Sequence, residues 1–133
     1  MKNILVAYDG SAPARRALET AATLASAMRA TLTVVSVVPE DLGLEVLIDP
    51  FDDEGVHAKY LEDAVAYLET RGVKAETLAA RGDPAKEIIK AARGAHDTIV
   101  LGSRGIGTAR RLVLGSVSAY VATHSKGTVV IVH

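Results

Sequence analysis

Apolar residues along this chain fall into short runs separated by helical stripes. Residues 4–8, Ile-Leu-Val-Ala-Tyr, form a continuous run that stops at Asp9-Gly10-Ser11. A run of that length, bounded by a turn signal, predicts a buried strand. Ser11 is placed to cap a following helix, and Pro13 lies in its first turn, where a missing N–H costs little. Leu18, Ala21, Ala22, Ala25 and Met28 recur at helical spacing and predict its packed stripe. Residues 31–38 predict a second strand, ended by Pro39.

The helical period returns over 56–71, with Leu61, Ala64, Val65 and Leu68 on one face and Gly72 ending the helix. Residues 73–80 alternate weakly and predict a third strand. Asp83 and Pro84 supply an N-cap and an N1 residue for a helix that turns Ile88, Ile89 and Ala92 inward and ends at Gly94. A buried strand over 98–101, a glycine-rich stretch over 102–115, a helix over 116–125 and an apolar strand over 128–132 complete the chain. Strands alternate with helices, and the strands are apolar runs rather than alternating ones. That pattern implies a parallel sheet covered on both faces. The expected fold is α/β: a Rossmann-like, open, five-stranded parallel sheet in a single domain over 1–133.

Residues 40–54 break the pattern. They hold seven acids and no base, with Gly43 and Pro50 among them. Leu42, Leu44, Val46, Leu47, Ile48 and Phe51 make the stretch too apolar for a free linker. It is expected to be a loop that folds back on the domain or meets a partner.

Composition narrows the function classes. With 133 residues and 49% hydrophobic content, the chain fits one domain with a core of its own. It has no Cys, which excludes thiol catalysis, thiolate zinc sites and disulfides. No apolar run approaches the ~20 residues of a membrane span, and the run at 4–8 is shorter than a signal-peptide core. The expectation is a soluble cytoplasmic protein with no membrane partner. The four histidines, 57, 96, 124 and 133, show no metal spacing and are read as surface or helix residues.

The net charge of −1 argues against a nucleic-acid binder, which should be clearly basic. Its distribution is more informative than its sum. The last acid is Asp97; beyond it Arg104, Arg110, Arg111 and Lys126 contribute +4, which leaves −5 on the first 97 residues. Charge asymmetry of this kind can mark an anion site.

In open α/β sheets, ligands bind at the carboxyl ends of strands, where the strand order reverses. Two strands end in turns suited to that: Asp9-Gly10-Ser11 and Gly102-Ser103-Arg104-Gly105-Ile106-Gly107. Glycines at 102, 105, 107 and 115 let backbone N–H groups approach an anion. The helix N-terminus at Ser116 adds oriented donors and partial positive charge. Ser116 and Ser118 add hydroxyls, and the three arginines add charge. The set reads as a phosphate cradle, against the plainer reading of a tight loop before a helix. It is not a Walker loop, since Thr108 stands where that motif needs Lys, and no G-x-G-x-x-G occurs.

These residues resemble the universal stress protein family over nearly the whole chain. The similarity is carried by Ile4-Leu5-Val6-Ala7-Tyr8-Asp9-Gly10-Ser11, by Gly82-Asp83-Pro84, by residues 99–105 and by Leu112-Val113-Leu114-Gly115-Ser116-Val117-Ser118. ATP-binding members carry G-x2-G-x9-G-[S/T], which Gly102, Gly105, Gly115 and Ser116 fit. The resemblance implies that Gly102 and Gly105 line the ribose and phosphate path, with Arg104 beside them. It implies phosphate contacts from Gly115, Ser116, Val117 and Ser118, a nucleoside end at Ala7 and Asp9, and adenine pairing by the Val37 backbone. The implied cofactor is ATP, with Mg²⁺ held mainly by the phosphates, and the implied partner is a second copy joined through strand 128–132. Thr98 and Lys126-Gly127-Thr128 depart from the common family pattern. The expected function is an ATP-binding regulatory or stress-response module with little turnover and no catalytic residue. A slow ATPase or other nucleotide-dependent enzyme, and a nucleotide-free interaction dimer, are the alternatives.

Overall fold

The computed structural model describes residues 1–40, 53–104 and 114–133. Most of the acidic stretch, residues 41–52, lies outside them, as do Gly105, Gly107, Thr108, Arg110 and Arg111. The elements follow in the order β1 (Asn3–Ala7), α1 (Ala12–Met28), β2 (Thr31–Pro39), α2 (Glu54–Thr70), β3 (Glu76–Gly82), α3 (Pro84–Ala92), β4 (Thr98–Gly102), α4 (Ser116–His124) and β5 (Thr128–Val132). The five strands are parallel and form one sheet in the order β3-β2-β1-β4-β5. The expected fold class holds.

Period-two alternation sorts the strand residues into two cores. Ile4, Val6 and Tyr8 pack with Leu18, Ala21, Leu61 and Leu68 under α1 and α2. Leu5, Val35 and Val37 pack with Ile88, Leu101 and Val121 under α3 and α4. β1 is buried on both sides, which is why its sequence is apolar without alternation. Each fully buried Leu, Ile or Val contributes about 1.5–3 kcal/mol.

The helix starts follow their sequence signals. The Ser11 hydroxyl accepts the Ala14 N–H at 3.2 Å, and the Asp83 carboxylate accepts the Lys86 N–H at 3.0 Å. Two expectations need correction, and one is narrowed. Met28 is 52% exposed, at the end of α1 beyond Ala25, the last buried residue of the stripe, where the chain turns at left-handed Arg29 (φ 52°). β3 begins at Glu76 rather than at 73. Val73 closes α2 instead: its N–H donates to the Leu68 carbonyl at 2.9 Å, the Gly72 N–H donates to Glu69, and Gly72 takes φ 71°. This is the αL helix ending in which an apolar residue after the glycine packs back on the helix. Of the surface or helix readings of the histidines, His57 takes the second: it lies in α2, 3% exposed, on the inward stripe with Leu61, Ala64 and Leu68.

Candidate functional site

The chain runs from β1 outward to β2 and β3, then returns to β4 and β5 on the other side of β1. Strand order therefore reverses between β1 and β4. Their carboxyl ends form the crevice where this architecture binds ligands. Ala7 ends β1 and is half-buried, and Asp9 follows it in the turn. Asp9 Oδ1 accepts the Ser11 N–H at 3.0 Å, so one carboxylate oxygen holds the turn itself. Val37 lies near the end of neighbouring β2 with its side chain in the core.

β4 leaves the sheet at Gly102, and the fold brings the two described parts of the glycine motif together just beyond it. The Ser103 carbonyl oxygen accepts the Gly115 N–H at 2.7 Å and the Ser118 hydroxyl at 2.7 Å. Ser103 N–H in turn donates to Val132 at 2.8 Å, which holds this exit against β5. A Cβ at Gly115 would lie 3.3 Å from both Arg104 Cα and the Ser103 oxygen. The glycine is thus what lets the start of α4 sit against residues 103 and 104.

Gly115 is the N-cap of α4 and offers no side chain to the first turn. The first backbone bond of the helix runs from the Ala119 N–H to the Gly115 oxygen at 3.0 Å. The amides of Ser116, Val117 and Ser118 precede it and point out of the helix end, as first-turn amides do. Ser116 is exposed, Val117 half-buried, and Arg104 half-buried on the opposing segment.

Two candidate residues turn out to have structural duties. Ser118 is 1% exposed, and its single hydroxyl proton goes to the Ser103 carbonyl, so the residue can offer an anion its backbone N–H but not its hydroxyl. At Gly102, an added Cβ would meet Pro13 Cβ at 2.7 Å, so the first turn of α1 requires a glycine there. Gly105 lies outside the described residues. Sequence reasoning missed Ser103, whose part is played by a backbone carbonyl that any residue type carries. A groove of about 840 Å³ runs along the opposite ends of the strands, lined by Thr31, Thr33, Val73 and His96 among others. Lys74 and Glu76 offset each other in it, so it does not favour an anion.

The sequence matches the universal stress protein family over residues 1–133. This chain belongs to that family. Universal stress protein YxiE of Bacillus subtilis is 36% identical over 143 aligned positions, covering 97% of each chain. A universal stress protein of Thermus aquaticus is 39% identical over 140 positions, covering 98% of each. Among solved structures, universal stress protein UspA from Lactobacillus plantarum superimposes with a TM-score of 0.80 at 27% identity, covering 99% of this chain and 97% of that one. Another universal stress protein, solved in complex with cAMP, gives a TM-score of 0.77 at 29% identity, with 99% and 97% covered. Among the described residues of this universal stress protein, no group of three or more His, Cys, Asp or Glu side chains could hold a metal ion. No described helix is long and apolar enough to cross a membrane.

Proposed function

We propose that this universal stress protein is an adenine-nucleotide-binding module that takes ATP in the crevice between β1 and β4. The observation that carries the reading is the joining of Gly115 and Ser118 to Ser103, which places the uncapped start of α4 against the exit of β4. A helix N-terminus with its amides unclaimed by a capping side chain suits phosphate oxygens. The similar protein solved with cAMP supports an adenine nucleotide as the ligand class.

In this reading the amides of Ser116, Val117 and Ser118, with the Ser116 hydroxyl, hold phosphates, and Gly102, Arg104 and Gly105 flank their path. Ala7 and Asp9 meet the nucleoside, and the Val37 backbone meets adenine. Mg²⁺ would be held mainly by the phosphates themselves. Amides and hydroxyls bind anions without activating water, so the module holds nucleotide with little turnover, in a cytoplasmic stress-response role. β5 carries the second part of the proposal. Its Thr128–Val132 edge is apolar and uncharged, whereas the β3 edge carries Glu76 and Arg81. An edge of that kind calls for a partner, and a second copy joined through β5 supplies one.

Isothermal titration of the full chain with ATP and Mg²⁺ tests the site. Saturable binding is expected; no binding at millimolar ATP overturns it. Light scattering tests the dimer, for which twice the 13.9 kDa chain mass is expected.

A further inference from the structure

Helix α2 reaches the turn after β1 through Tyr60. Gly10 adopts φ 78°, and a Cβ built on it would fall 2.5 Å from Tyr60 Cε1 and 2.8 Å from Cζ. The Tyr60 ring therefore lies directly on the backbone of the turn that carries Asp9. The ring is fixed from two sides. Tyr8 meets it edge-on, with centroids 6.1 Å apart at 86°. His57, one turn earlier on α2, meets it at 5.2 Å and 78°. His57 is itself held from the sheet, with Nδ1 2.5 Å from the hydroxyl of Ser36 on β2, in a pair that is 3% and 1% exposed.

We infer that Tyr60 is a positioning residue for the nucleotide site: it sets the Asp9–Gly10 turn, with His57 and Ser36 fixing its ring. The inference rests on the nucleotide reading of the crevice. The turn is anchored at its two ends, by the Tyr8 N–H on the Val35 carbonyl at 2.9 Å and by the Ser11 cap of α1. Its own bond from Ser11 to Asp9 Oδ1 is local, and a left-handed glycine gives it conformational freedom. A flat ring packed on the glycine face, where a Cβ would fall 2.5 Å from Tyr60 Cε1, restricts that freedom. The contact also couples sites. Whatever shifts the first turns of α2 shifts the turn at Asp9, and by linkage a nucleotide held there is felt at α2.

The test uses the full chain, labelled with ¹⁵N, as wild type, Tyr60→Phe and Tyr60→Ala. Calorimetry reads the ATP affinity, and NMR reads the Gly10 and Ser11 amides without nucleotide. Tyr60→Phe keeps the ring and is expected to bind within twofold of wild type, a rescue that polarity alone would not give. Tyr60→Ala is expected to bind about tenfold more weakly, with the two amides shifted or broadened. If Tyr60→Ala does not fold, Tyr60→Leu keeps apolar bulk without the flat ring, and the same loss is expected of it. Unchanged affinity in the variant lacking the ring overturns the inference, even where the amides move, since the ring is then structural only. Wild-type protein that binds no ATP overturns the nucleotide reading and this inference with it. Binding that survives loss of the ring overturns this inference alone.

Discussion

The Ser118 hydroxyl donates to the Ser103 carbonyl oxygen at 2.7 Å, and through that bond two segments fifteen residues apart become one surface. Ser103 follows the last residue of β4 and donates its N–H to Val132 of β5, and Ser118 lies in the first turn of the last helix. The same carbonyl takes the Gly115 amide, so the N-terminus of α4 is fixed by one backbone atom of the β4 exit.

Ser118→Ala removes this bond while leaving the Gly115 amide on the same oxygen. The expected loss is about 1 kcal/mol of stability, the usual net value of a buried neutral hydrogen bond. Urea unfolding followed by circular dichroism measures it.

Gly102→Ala separates packing from binding at the motif. The added methyl meets Pro13, so the expected outcome is a loss of about 1–3 kcal/mol, typical of overpacking. The loss should be the same with and without nucleotide if Gly102 serves only α1. A thermal melt at saturating ATP and one without nucleotide give the comparison.

Ser116→Asp places a negative charge on an exposed residue of the uncapped first turn of α4. Helix electrostatics favour an acid there, so stability should hold or rise by about 0.3–1 kcal/mol. The same charge repels phosphate, and ATP affinity should fall at least tenfold, about 1.4 kcal/mol. A stable variant with unchanged ATP affinity in calorimetry would place the phosphates elsewhere.

Asp97 gives the fold a pH dependence at the other end of the sheet. Its carboxyl is held below the usual carboxylate range, first by the Lys2 backbone N–H at 2.8 Å and then by the Thr98 hydroxyl at 2.7 Å. The folded pKa lies below the unfolded one. The stabilisation is therefore complete above the ordinary carboxylate pKa and is lost as pH falls through the lowered folded value. In urea unfolding measured at steps between pH 6 and pH 3, Asp97→Asn should flatten the acid limb relative to wild type.

The sequence by itself determined the elements and their order. Short apolar runs at 4–8 and 98–101 read as buried strands, and both lie inside the sheet with neighbours on either side. Ser11, Asp83 and Pro84 mark helix starts because capping chemistry is local. It also singled out the proposed cradle, since a spaced glycine pattern is legible in one dimension. Local signals failed where a residue's role depends on what lies across from it. Val73 reads as strand but closes α2, because Gly72 turns the chain back onto Leu68. His57 reads as one scattered histidine but is buried against Ser36, twenty-one positions earlier in the chain. Only the tertiary structure showed that Gly102 is needed by Pro13, that the Ser118 hydroxyl is committed to Ser103, and that Tyr60 lies on Gly10. Each of these is a contact between distant segments. Its partner is chosen by how helices pack on a twisted sheet, and no spacing along the chain records that choice.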